Sequence, residues 1–285
     1  MDSLAFIERR TFMNEKEKPT VDSSSAGFGP LAQIIPGIPV CGIRLNPYDW
    51  DEISQRIFRP DRNERLTLGC VNVHTIFLAH RTPRLREYFR SLATFTHVDG
   101  APIILFAKLR GAKVDRHNQT AWMTKYELFL DQARDAKQRI YYLGSKPGVA
   151  ARMAEIERER HPGLIMETAD GYFNRDNPAE NQAVIDKINA WNPDILLIGM
   201  GAPLQEIWVL DNRDKINARV TATLGATADY VAGEIPTVPA WMERFYLLGV
   251  FRLFSEPRRL WPRYIVEPWY AIYWFFRCGG KVRED

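Results

Sequence analysis

Apolar residues fall into short runs separated by amphipathic stretches, and that alternation repeats along most of the chain. Order is predicted to begin near Val40-Cys-Gly-Ile-Arg-Leu45, a short strand. Asn46-Pro47 then signals a helix start, with Asp49 and Asp51 in the opening turn. Residues 66–73 are apolar and β-branched and read as strand, with helix-like sequence following to about residue 91. A short strand over 95–98 ends at Asp99-Gly100. Beyond it the pattern predicts a helix over 125–136, a strand over 139–143 and a turn over 144–148. Next come a helix over 149–160, a strand over 163–168, a helix over 179–191 and a strand over 194–198. The last of these runs into Gly199-Met-Gly-Ala-Pro203 and a helix starting near Leu204; residues 220–224 form the final strand, ending at Gly225-Ala226.

Strand, glycine turn and helix in repetition predict an α/β fold, a mostly parallel sheet with helices on both faces. Crossovers of one hand put every strand-to-helix turn on one edge, and ligands of such sheets bind beyond the carboxyl ends of the strands. Four segments reach that edge: residues 72–74, Asp99-Gly100, 144–148 and 199–206. The chain divides into a loosely attached leader (1–37), an α/β domain (38–240) and a C-terminal appendage (241–285).

Charge distribution sharpens the last boundary. The net charge of +3 lies wholly within residues 241–285, where eight basic residues face five acidic ones. The same segment holds 13 aromatics, and Arg252, Arg258, Arg259 and Arg263 alternate with Phe251, Phe254, Trp261 and Tyr264. Arginine forks match phosphate oxygens, and Trp and Tyr favour the membrane–water interface. Long apolar side chains such as Leu247, Leu253 and Leu260 favour an anionic membrane surface over nucleic acid, although core packing gives a similar composition. No apolar stretch approaches the roughly 20 residues that span a bilayer. Three cysteines without a paired spacing fit a reducing cytoplasm rather than a disulfide framework.

Candidate chemistry lies on the predicted edge. Asp99, beside a glycine that lets a ligand approach, suits a general base, though Asp-Gly is also a common turn. The turns containing Gly144 and Lys146, and Gly199 and Gly201, present backbone N–H groups to an anion or are plain tight turns. Gln205 and Glu206 open a helix, either facing a sugar or serving its positive end. Asn72 and His74 alternate at a strand's exit and so face one side. No dinucleotide or Walker fingerprint, Asp-x-Asp or paired-histidine spacing is present, so neither a cofactor nor a catalytic metal is expected.

These residues resemble, in order, blocks of the WecG/TagA/CpsF family of bacterial glycosyltransferases. The blocks are Asn72, Asp99-Gly100, Leu143-Gly-Ser-Lys-Pro-Gly-Val-Ala150, Gly171-Tyr-Phe173 and Gly199-Met-Gly-Ala-Pro-Leu-Gln-Glu-Ile-Trp208. Gly225-Ala226, Asp229, Ala232-Gly233 and the arginine-rich run 251–264 follow. The resemblance implies a Rossmann-like, metal-independent, inverting enzyme that moves a sugar from a UDP-sugar to a polyprenyl-diphosphate-linked saccharide in cell-surface polymer assembly. Such an enzyme would sit at the inner face of the plasma membrane, its oligomeric state open. Asp99 matches the family's base, Gln205 its active-site glutamine and Arg116 a donor-diphosphate arginine; Asn72, Glu206 and Asp229 would orient sugar or nucleotide. The chain departs from the family at Cys70, at residues 116–121, which lack a glycine and an aspartate, and at Thr237-Val-Pro239. A nucleotide-dependent oxidoreductase and a non-catalytic membrane adaptor are the alternatives from other classes.

Overall fold

A computed structural model describes residues 28–59, 63–235 and 260–278. The predicted strands assemble into a six-stranded sheet, all of whose pairings are parallel. Its strands are β3 (Leu66–Val71), β4 (Phe95–Val98), β5 (Arg139–Gly144), β6 (Ile165–Ala169), β7 (Ile195–Gly199) and β8 (Val220–Thr223), in the spatial order β4-β3-β8-β7-β5-β6. The run at 40–45 is not one strand. Cys41 and Gly42 both take positive φ (48° and 79°), folding β1 (Ile38–Val40) back on β2 (Ile43–Leu45).

The helices are α1 (Trp50–Ile57), α2 (Val73–Ala79), α3 (Pro83–Glu87), α4 (Ala101–Leu109), α5 (Trp122–Asp135), α6 (Val149–Arg160), α7 (Pro178–Trp191), α8 (Leu204–Asn212), α9 (Thr227–Val231) and α10 (Glu267–Arg277). The helix expected from Asn46-Pro47 starts later. Asp49 caps it by accepting from Glu52 N (2.9 Å), and Glu52 accepts from Asp49 N in return (3.0 Å). Asn46 instead behaves as a strand residue: it donates to Thr96 O (2.8 Å), and its side-chain oxygen accepts from Thr96 N (3.0 Å), covering the outer edge of β4.

Side chains alternate across the sheet. Val71, Val98, Tyr141, Leu143, Leu196 and Ile198 pack on one face with α2, α3, α4, α7 and α8. Leu68, Phe95, Ile140, Tyr142, Leu197 and Ala222 pack on the other with α1, α5, α6 and α9. The leader expectation needs correction over its described part. Gly29 and Ala32 donate to Asn63 and Arg65 carbonyls (2.8 and 2.9 Å) and Ile35 to Thr94 O (2.8 Å), while Ala32 and Ile35 pack on the core. Residues 1–27 lie outside the described range.

Arg213 is fully buried at the amino ends of β3 and β8. It donates to Thr67 Oγ1 (3.1 Å) and to the carbonyls of Ala218 (2.9 Å) and Ile216 (3.3 Å). Burial, then the charge of Arg65, brings its pKa down to about 9, so it stays protonated at neutral pH. Replacing Arg213 by Ala strands these acceptors and is expected to destabilise the fold by about 3 kcal/mol in denaturant unfolding, with only partial recovery in Arg213→Lys. His97, buried on β4 and set edge-on against Trp122, is held down to about 4 by burial. The unfolded chain, titrating at the ordinary 6.5, therefore takes up its proton first as the pH falls. Wild-type stability relative to His97→Leu is expected to decline between pH 6.5 and 4, by up to about 3 kcal/mol, in pH-dependent chemical denaturation.

Candidate active site

From β3 to β5, the helices following neighbouring strands leave the sheet in opposite directions. Those after β3 and β7 (α2, α8) go to one face, and those after β5 and β8 (α6, α9) go to the other. Where paths diverge between adjacent strands, the carboxyl edge opens into a crevice. A cleft of about 1180 Å³ lies there, bordered by Ser145 and Lys146 after β5, Gly199 and Gly201 after β7, and Asp229 in α9. Its remaining wall comes from the loop after β6, including Tyr172 and Arg175.

Four of the helix starts at this edge are open. α4, α6, α8 and α9 begin at Gly100, Gly148, Pro203 and Ala226 without a side-chain cap, whereas α1, α2 and α7 are capped by Asp49, Asn72 and Asn177. Uncapped starts leave backbone N–H groups and the positive helix end for an anion. Lys146, exposed beside the start of α6, adds a full charge. Gly144 and Gly199 have a structural reason for being glycine. They are register partners, and a Cβ on Gly199 would collide with the Tyr142 hydroxyl. Gly201, at φ 80° with open space around it, is the glycine that leaves room in the cleft.

Asp99 stands at the end of β4, its N–H donated to Val71 O (2.8 Å). Asn72 does not continue β3 but caps α2, correcting the reading of Asn72 and His74 as alternating strand residues. The Asn72 oxygen accepts from Thr75 N (2.9 Å) and Thr75 Oγ1 (3.1 Å), which turns its amide nitrogen toward Asp99 Oδ2 (3.4 Å). That neutral donor fixes the orientation of the Asp99 carboxylate at the carboxyl edge, the placement a general base needs. Cys70 lies close by. Burial, then the charges of Asp99 and Glu206, raise its thiol well above the ordinary range, leaving it an inert neutral group.

Gln205 and Glu206 lie beneath the cleft, both buried. Gln205 Oε1 accepts from Gly201 N (3.2 Å) and Gly225 N (3.1 Å), and its amide donates to Glu206 Oε1 (2.7 Å). The side chain thus stitches the turn after β7 to the turn after β8. Burial raises the Glu206 carboxyl, against the lowering effect of that amide. Arg116 is exposed on a short helical turn at 116–118, in a segment whose Thr120 N–H donates to Val98 O (2.9 Å), so it lies on the Asp99 side rather than in the cleft wall. Arg252, Arg258 and Arg259 lie outside the described residues. Arg263 is described: its guanidinium meets His74 Nε2 (2.5 Å), and the other ring nitrogen faces the Glu267 carboxylate (2.9 Å). The appendage therefore docks on the first turn of α2, one residue pair from Asn72.

The sequence pattern missed Tyr172, Arg175 and Leu204 as cleft residues. The Gly171-Tyr-Phe173 block was the available signal for the first two.

Comparison with known proteins agrees with this geometry. The family model described as "Glycosyl transferase WecG/TagA/CpsF family" matches residues 38–284. The chain is also similar, at 29% identity over 215 residues, to a Bacillus spizizenii protein named N-acetylglucosaminyldiphosphoundecaprenol N-acetyl-beta-D-mannosaminyltransferase; the match covers 74% of this chain and 79% of that relative.

Proposed function

The chain belongs to the WecG/TagA/CpsF family of glycosyl transferases, and from that premise we propose that it moves a sugar, with inversion, from a UDP-sugar to a polyprenyl-diphosphate-linked saccharide at a membrane surface. The observation carrying this reading is Asp99, oriented by Asn72 on the same edge as a nucleotide-sized cleft bordered by open helix starts. Asp99 and the near wall of the cleft at β8 are separated by β3, about 10 Å at ordinary strand spacing. The start of α8, after β7, lies one strand farther, about 14 Å from Asp99, so the donor sugar and the attacking acceptor hydroxyl both have room between base and diphosphate.

Asp99 takes the proton of the acceptor hydroxyl, whose oxygen attacks the anomeric carbon as the bond to UDP breaks. The departing diphosphate gathers charge, which the starts of α6 and α8 and Lys146 stabilise by preorganised N–H groups and charge. Arg116 approaches from the β4 side, and Tyr172, largely exposed, offers a ring to the nucleobase. Gln205 and Glu206 hold the two turns in register. The relative's printed name, with its undecaprenol-linked acceptor and N-acetylmannosaminyl transfer, supports a lipid-linked saccharide acceptor and an N-acetylhexosamine donor.

No described helix is long and apolar enough to cross a membrane. The appendage supports docking instead. α10 buries Ala271 and Phe275 against the domain, with Phe275 stacked on Phe106 (4.8 Å), and leaves Trp269, Tyr273 and Phe276 exposed, as Trp261 and Ile265 are on the helical turn before it. Their near-regular spacing of four makes one outward apolar stripe. Arg81 and Arg110 flank it, lying over Tyr270 and Phe275. Because α10 rests on α2, whose cap is Asn72, the lipid-facing surface and the base share one support.

Asp99→Asn is expected to lower kcat by about 10²–10⁴-fold while leaving UDP affinity within twofold, read by product assay and calorimetry; near-normal turnover would remove Asp99 as base. Trp269→Ser with Phe276→Ser is expected to abolish sedimentation with anionic vesicles, and undiminished sedimentation would count against docking through this stripe.

A further inference from the structure

On the α1, α5, α6 and α9 face, well away from the crevice, four titratable side chains meet where α5 crosses the end of α6. Glu127 and Asp131 sit one turn apart on α5. Glu157 and His161 sit one turn apart on and just after α6. His161, thirteen residues beyond Gly148, lies about 20 Å along the helix from the catalytic edge. None of these residues is used by the transfer reaction.

The hydrogen bonding leaves a gap in charge. His161 Nδ1 faces Asp131 Oδ1 at 3.0 Å, which fixes that nitrogen as the N–H donor. The other ring nitrogen, Nε2, faces Glu127 Oε2 at 2.9 Å and Glu157 Oε2 at 3.5 Å. Three electron-pair donors thus converge, all within 4.8 Å of one another. A proton on Nε2 would bridge to Glu127 and leave Glu157 unserved. Glu157 is 0% exposed and neither of its oxygens has a hydrogen-bond partner; the nearest other cation, Arg160 Nη1, stands 3.7 Å off and is shared with Glu127. A cation seated between Glu127, Glu157 and His161 would give those two buried oxygens the close partner that the shared guanidinium and imidazole do not.

We propose that Glu127, Glu157 and His161 Nε2 form a divalent-cation site, best suited to Zn²⁺, with Asp131 as the carboxylate that orients the histidine. A tetrahedral Zn²⁺ with bonds of about 2.0–2.1 Å sets its ligand atoms about 3.3 Å apart, close to the 2.9 and 3.5 Å found here. Mixed nitrogen and oxygen donors match that ion, with water in the fourth position. The carboxylate–histidine arrangement through Asp131 is the usual support for a metal-bound imidazole. Glu127, largely exposed, gives access from solvent, while Glu157 and His161 are sheltered. Bridging α5 to α6, the ion would staple two helices that cover the sheet, and its role is structural.

The test uses the full chain, dialysed against EDTA, then exchanged into chelator-free buffer at pH 7.5 and titrated with ZnCl₂ in a calorimeter and in a melting assay. One Zn²⁺ per chain is expected, with the melting temperature rising about 4–5 °C at a hundredfold excess over Kd. His161→Gln should abolish both effects. Asp131→Asn, at a half-exposed position and with its zinc-free melting temperature measured as the control for folding, should weaken Zn²⁺ binding about 10–100-fold. Glu127→Gln, at a more exposed position, should weaken it as well. Absence of saturable binding would overturn the proposal. So would binding and melting shifts that persist unchanged in both Asp131→Asn and Glu127→Gln.

Discussion

The active edge depends on a constraint of chain routing. Neighbouring parallel strands whose helices turn to opposite faces cannot keep their loops packed together, so the sheet edge must open between them. Here the divergence runs along the middle of the sheet, through β3, β8, β7 and β5. The crevice is not carved by side chains; it follows from topology. What side chains do is hold its rims at a fixed width. Gln205 ties the turns after β7 and β8 through two backbone N–H groups, and the Gly144–Gly199 pair lets β5 and β7 close to contact at the crevice floor. On the proposed reading, a ligand diphosphate meets N–H groups already in place, so little reorganisation accompanies the transfer of charge.

Asp99 is governed by the same economy of positioning. Its orienting partner, Asn72, is first a helix cap, engaged by the Thr75 N–H and hydroxyl, and only then a donor to Asp99. The capped helix is the one against which α10 packs, and His74 in its first turn is gripped from outside by Glu267 and Arg263. Contact of the appendage with a bilayer would therefore act on the same helix that sets the base. On the proposed reading, that coupling would join a membrane-borne acceptor to a reaction on the protein side.

Much of this was legible in the residues. The helix Val149–Arg160 was predicted at its true bounds, because Gly148 supplies the left-handed residue that starts it (φ 84°). The edge segments at 72–74, 99–100, 144–148 and 199–206 follow from alternation alone. Other features were hidden for physical reasons. The β1–β2 hairpin sits inside one apolar run, and the positive φ of Cys41 and Gly42 is what betrays it. α4 is apolar on nearly every side and carries no helical period, so the stretch after Asp99-Gly100 gave no signal. The stitching role of Gln205 was hidden because its partners, Gly201 and Gly225, come from turns brought together by strand order. The cluster around His161 was equally invisible, since Glu127 and Glu157 lie on helices whose crossing no spacing rule encodes.

The central claim is that the crevice holds the donor diphosphate on open helix starts while Asp99 faces the sugar across β3. A crystal structure with UDP bound tests it most directly. The predicted result is a diphosphate against the first turns of α6 and α8 beside Lys146, with its terminal phosphate directed toward Asp99. A nucleotide seated away from residues 145–149 and 199–204, or a diphosphate turned away from Asp99, would contradict it.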